Sequence, residues 1–106
     1  MQRRKRKNMR LRKDILLALK NMSENETQEE YLTASQIIDL IANMRDKKTR
    51  QIHSVGYPLP TTRTIGNLMR GWKGIGSKHI YKNSSKVLCY RLTDLGTAEE
   101  WLGVTV

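Results

Sequence analysis

The chain has no phenylalanine, a single cysteine and only two prolines, and aromatic residues make up 6% of it. Each shortage excludes something. With Cys89 alone, no internal disulfide can staple the fold, and a reducing compartment is the simpler expectation. Without phenylalanine, the core has to be assembled from Ile, Leu and Met with a few Tyr and Trp. A long apolar run is also missing. Ile15 to Leu19 spans five residues, too short for a signal-peptide core and far too short for a membrane span, so a soluble intracellular protein is expected. No Gly-rich phosphate loop, nucleophile-and-base pair or carboxylate cluster stands out, and the expectation is a protein without catalytic residues or a cofactor. His53, His79 and Cys89 match no common metal-ligand spacing and lack a fourth partner, so no metal is expected.

Acid is scarce too, at ten Asp and Glu against twenty Lys and Arg, a net charge of +10 in 106 residues. That length suits one domain. Its positive charge is segregated: +8 over residues 1–13, −5 over 14–44, +10 over 45–91 and −3 over 92–106. Segregation of this kind predicts one positive face, and a positive face seeks a polyanion, because each neutralised phosphate releases a condensed counterion. Residues 1–8 are expected to form a disordered basic arm, carrying Arg3, Arg4, Lys5, Arg6 and Lys7 and nothing to bury. In a eukaryotic source the arm would also read as a nuclear import signal. Residues 9–106 are expected to form the folded domain.

The first helix is predicted from an Asn8 cap to about Met22, with Leu11, Ile15, Leu19 and Met22 on one stripe and Leu16 beside it. Tyr31-Leu32 suits a very short strand, and Thr33-Ala34-Ser35-Gln36 fits a capping box. That box opens a second helix expected to bury Ile37, Ile38, Leu40, Ile41 and Met44. Its end is open, either near Asn43 or on through the basic run. Gly56-Tyr57-Pro58-Leu59-Pro60 breaks regular structure. A third helix over 61–73, capped by Thr61 or Thr62, is expected to bury Ile65, Leu68, Met69 and Trp72 and to stop at Gly74. A hairpin around Asn83-Ser84-Ser85 follows, read as a three-residue loop with Tyr81 opposite Val87, Ile80 opposite Leu88 and His79 opposite Cys89. Thr93 then caps a short last helix holding Leu95, Ala98, Trp101 and Leu102.

This order, helix, strand, helix, helix, hairpin, helix, resembles the winged helix-turn-helix superfamily of DNA-binding domains, of the kind found in bacterial and archaeal transcription regulators. The likeness is carried by Tyr31 to Ile38, by Pro60 to Leu68 and by Tyr90 to Gly96, and it spans residues 10–102. It implies an α+β, mainly α fold: a three-helix core with a β-hairpin wing and a short C-terminal helix. It also implies double-stranded DNA as partner, transcription regulation as role, and the cytoplasm or nucleoid as location (the nucleus in a eukaryote). Small size and heavy Lys/Arg content give it an archaeal flavour. One departure stands out. About sixteen residues separate Met44 from Thr61, where the superfamily has a short turn.

On the third helix, Arg63, Asn67 and Arg70 recur at helical spacing, and Arg and Asn are side chains able to read guanine and adenine in the major groove. Gly66 would allow close approach there, Thr61, Thr62 and Thr64 suit a phosphate, and Lys73 extends the charge. The wing is expected to add Lys78, Lys82, Asn83, Ser84, Ser85, Lys86 and Arg91, and the insertion Lys47, Lys48 and Arg50. Trp72 and Trp101 fall on apolar stripes and are expected in the core. A homodimer contacting through its first and last helices would bring two recognition helices to successive grooves. Three other readings compete: a non-specific architectural or replication-associated DNA protein, an RNA-binding protein, and a winged helix that contacts an acidic protein. RNA ranks lower, since no aromatic pair marks an exposed sheet.

Overall fold

In the computed structural model, which describes residues 9–23, 31–46 and 58–103, the chain is an α+β fold with a three-stranded antiparallel sheet. The elements run α1 (Met9–Ser23), β1 (Leu32–Thr33), α2 (Ala34–Asp46), α3 (Thr62–Met69), β2 (Ile75–Lys82), β3 (Ser85–Leu92) and α4 (Leu95–Leu102). The expected arm and the stretch 47–57, including the Asn8 cap, lie outside the described residues.

The first helix is more central than its stripe suggests. Asp14, Ile15, Leu16, Leu17, Ala18 and Leu19 are all buried, six in succession, so α1 is enclosed on every side through its middle. It packs against α2, β3 and α4. Leu11 and Met22, the ends of the expected stripe, lie half-buried against the same core. What α1 can offer a second copy of the chain is therefore confined to its two ends.

The capping box forms as its spacing requires. The Thr33 N–H donates to Gln36 Oε1 at 2.8 Å and the Gln36 N–H donates to Thr33 Oγ1 at 3.1 Å. Such a cap contributes about 1 kcal/mol. From it α2 runs to Asp46 and buries Ile37, Ile41 and Met44, while Ile38 and Leu40 stay half-buried at the edge of the core.

The third helix is shorter than the sequence suggests. It ends at Met69, with Arg70 extended (φ −63°, ψ 126°) and Gly71 left-handed at φ +72°. Gly71, not Gly74, stops the helix, because it is the first residue that reaches a left-handed conformation without a side-chain penalty. Trp72 is therefore not the last residue of the helical stripe. It reaches the core through the turn, its N–H donating to the Met69 carbonyl at 3.2 Å. Gly74, at φ +93°, instead turns the chain into β2.

The hairpin register also differs from expectation, by one residue. Lys82 faces Ser85, Tyr81 faces Lys86, Ile80 faces Val87 and His79 faces Leu88. The loop is the two residues Asn83 and Ser84, with φ of 52° and 66°. Two left-handed residues make the kind of turn whose twist matches that of paired strands, and that preference overrides the one-sided apolar pattern on which the three-residue loop rested. Ile80 consequently lies on the sheet face opposite Leu88, Tyr90 and Leu92. Tyr90 also pairs with Leu32, closing the strand order β1-β3-β2.

The last helix is capped by Asp94 and not by Thr93. Asp94 Oδ1 accepts from the Thr97 N–H at 3.3 Å and Oδ2 from the Thr97 hydroxyl at 2.8 Å. The Thr93 hydroxyl donates to the Gly74 carbonyl instead. The Thr97 side chain first, then the Thr97 backbone, holds the Asp94 carboxyl below the ordinary carboxylate range. A depressed pKa in the folded state gives stability that is present above the unfolded carboxylate pKa and lost as pH falls through the folded one. Urea midpoints are therefore expected to drop as pH is lowered from about 5 to about 3, and Asp94→Asn, which keeps an acceptor, to flatten part of that drop. An identical pH profile in the variant would assign the acid sensitivity elsewhere.

Candidate nucleic-acid interface

Helix α3 turns its apolar residues Ile65, Leu68 and Met69 into the core, which fixes what faces outward. Arg63 and Asn67, one turn apart, are both exposed. Gly66 lies half-buried between them on the side of Tyr90: a Cβ there would stand 3.6 Å from the Tyr90 hydroxyl. At the helix start, Thr61 Oγ1 accepts from the Thr64 N–H at 3.2 Å and lies 3.1 Å from the Thr64 hydroxyl, so these two hydroxyls serve the cap. Thr62 is exposed beside them.

Arg70 and Lys73 are exposed but stand beyond the helix end, so the expected Arg63, Asn67, Arg70 row breaks after its second member. Arg70 is carried by an extended residue next to Gly71 and reaches the same surface by a different path.

Between α3 and the hairpin lies a groove of about 480 Å³. Arg63, Asn67 and Arg70 form its helix side, and Ser77, Leu88 and Tyr90 its sheet side. Burial pushes the Tyr90 phenol above its ordinary pKa, Cys89 adds to this, and the Arg70 charge acts against it. The phenol therefore stays protonated near neutrality and can donate a hydrogen bond.

The antiparallel register sorts the hairpin's side chains into two faces, since directly paired residues share a side. Ser77, His79, Tyr81, Lys86, Leu88 and Tyr90 share the groove side. Lys78, Lys82, Ser85 and Arg91 lie on the reverse. There the Lys78 ammonium sits 4.7 Å and the Arg91 guanidinium 5.7 Å from the centre of the Tyr31 ring, an arrangement that holds both cations against β1's approach. Of the expected hairpin residues, only Lys86 and the exposed turn Asn83-Ser84 lie with or beside the α3 groove; the rest face the other way.

The charge of this part of the chain is of one sign. From residue 58 to 93 there are seven Lys and Arg and no Asp or Glu. Arg3, Arg4, Lys5, Arg6, Lys7, Lys47, Lys48, Arg50 and His53 lie outside the described residues. Among the described residues no group of three or more His, Cys, Asp or Glu is placed to hold a metal ion, and His79 and Cys89 project from opposite faces of the hairpin. Among them, too, no helix is long and apolar enough to cross a membrane.

Trp72 and Trp101 stack at 5.3 Å with planes 24° apart. Trp72 is in the core at 2% exposure and Trp101 packs half-buried against it, so neither ring offers a free face of the kind a base would need. Among the described residues the aromatic residue that is open to solvent is Tyr81, which composition alone does not single out; the paired register of a two-residue turn does. Compared with protein-family models, curated proteins and solved structures, the chain matches none.

Proposed function

We propose that the chain is a winged helix-turn-helix protein that binds double-stranded DNA and regulates transcription from a preferred site. In this assignment α3 enters the major groove, the β2–β3 hairpin is the wing, and phosphates on either side are met by Arg70, Lys73, Lys86 and the exposed turn. The observation that carries it is the outward pairing of Arg63 and Asn67 on a helix whose back is buried, within a stretch that holds no acid from 58 to 93. Arg63 can form a fork with a guanine edge, and Asn67 with an adenine edge, one turn away. In a homodimer, two such helices would meet successive major grooves about 34 Å apart, and the mass of the protein–duplex complex in solution tests that arrangement.

Selection of bound sequences from random duplex DNA tests the assignment, followed by titration of the selected site. Arg63→Ala is expected to weaken the selected site by about tenfold to a hundredfold while leaving unrelated duplex within about twofold. Lys86→Ala should weaken both alike and reduce the salt slope by about one unit. Equal loss on both duplexes in Arg63→Ala would reduce Arg63 to a phosphate contact.

A second function, non-specific coating of DNA, is favoured by the shortness of α3. With Arg70 beyond its end, the helix itself carries two base-reading side chains and not three. Competition by unrelated duplex at moderate salt separates the two functions, since only a regulator keeps its site.

A further inference from the structure

The surface between α3 and the hairpin is cationic at its rim and apolar along its floor, which a closed duplex does not call for. Leu88 is 38% exposed and Tyr81 is 74% exposed, both on the groove side of the hairpin. Since Leu88 pairs with His79 and Tyr81 with Lys86, Tyr81 and Leu88 are diagonal neighbours, within reach for an aromatic ring. The strip they form continues inward to Tyr90 on the groove floor and faces Arg63, Asn67 and Arg70 across it. The backbone of a closed duplex offers phosphates and sugars and keeps its bases stacked, so Leu88 and Tyr81 would gain little from it.

An unpaired nucleotide offers what this surface matches: a flat base with a hydrogen-bonding edge, joined to a phosphate. The groove, at about 480 Å³, has the volume of a small-ligand site. We infer that the face between α3 and the hairpin accepts unpaired nucleotides adjoining a duplex, one base lying in the groove against Tyr90 and Leu88 and the next stacking on Tyr81. The inference deepens the DNA-binding proposal and rests on it for the duplex part. Arg70 takes a phosphate at the rim, the Tyr90 hydroxyl on the floor meets the base edge, and Lys86 follows the strand past Tyr81, which leaves Arg63 and Asn67 to the duplex.

The test compares three fluorescein-labelled DNAs by anisotropy: a blunt duplex, the same duplex with a short single-stranded extension at one end, and the extension strand alone. The extension, on its 3′ or its 5′ strand, is expected to tighten binding about tenfold over the blunt duplex, in line with one base stacked on an aromatic ring. Tyr81→Ala should remove that gain and Tyr81→Trp should keep it. Exposure of the side chain makes both variants neutral to the fold, which thermal melting verifies. No gain from either extension would overturn the inference, and so would a gain that survives Tyr81→Ala, since extra phosphates would then explain it. If instead the blunt duplex binds no better than the free strand at low salt, the duplex proposal itself has failed, a different result from either of these.

Discussion

Alanine in place of Gly74 is expected to destabilise the protein by about 3 kcal/mol or more, an effect far beyond that of an ordinary glycine substitution. Two costs combine. At φ +93° an L side chain lies in the left-handed region, which costs about 1–2 kcal/mol by itself. The added Cβ would then stand 2.5 Å from the Ala98 nitrogen, 2.7 Å from the Asp94 carbonyl oxygen and 2.8 Å from the Ala98 Cα. All three are backbone atoms, so no side chain can swing aside, and the first turn of α4 must move. Moving it strains the bonds that the Gly74 carbonyl accepts from the Thr93 N–H at 2.9 Å, the Asp94 N–H at 3.1 Å and the Thr93 hydroxyl at 2.9 Å. Gly71 supplies the control. It too is left-handed, at φ +72°, but nothing lies within 4 Å of its Cβ position. Gly71→Ala is therefore expected to cost only about 1 kcal/mol. Urea unfolding of the two variants side by side checks the difference, and equal losses would show that close approach to α4 plays no part.

Trp72→Ala should be of similar size, about 3–5 kcal/mol, which for a domain this small is a large share of the total. Trp72 is 2% exposed and its indole N–H donates to the Ala98 carbonyl at 3.1 Å. Removing the ring opens a cavity, leaves Trp101 without its stacking partner and takes one hydrogen bond from the Ala98 carbonyl. It also removes one of the two indoles over which the Arg12 guanidinium lies, at 5.8 Å from Trp72 and 5.3 Å from Trp101. The same guanidinium donates to the Leu68 carbonyl at 3.0 Å, near the end of α3. The expected result is a fall in Tm of at least about 12 °C, with loss of the near-ultraviolet dichroism of the paired indoles. Trp72→Phe separates packing from hydrogen bonding: it keeps a ring and loses the N–H, for about 1–3 kcal/mol. A phenylalanine variant as unstable as the alanine one would mean that the indole N–H, and not the packing, dominates.

Both residues belong to the joint between α3, β2 and α4, and that joint is where the sequence was least legible. The capping box at Thr33 and Gln36 was readable because both partners lie within one turn. The inward set Ile65, Leu68 and Met69 was readable because helical spacing alone determines it. Trp72 continued that spacing, so periodicity extended the helix past its true end; nothing local distinguishes Gly71 from Gly74 until the approach of α4 is known. In the hairpin, the apolar pattern of Ile80, Leu88, Tyr90 and Leu92 competed with the turn geometry of Asn83 and Ser84, and the turn prevailed. That single-residue slip is what hid Tyr81 and Leu88 as a strip and put Lys78 on the reverse face, where Arg91 lies in either register. Arg63 and Asn67 were legible as an outward pair. Arg70 was legible as a cation, though not as one beyond the helix.

The enclosure of α1 bears on the order in which the protein can be built. Leu16, Leu17 and Leu19 leave the ribosome well before β3 and α4, which help to enclose the helix and follow some seventy to eighty residues later. At ordinary rates of synthesis that interval is roughly 4–16 s, during which a wholly greasy segment has no lasting shelter. Nascent chains halted before α4 should therefore be bound by chaperones at residues 15–19, and synthesis through α4 should end that association.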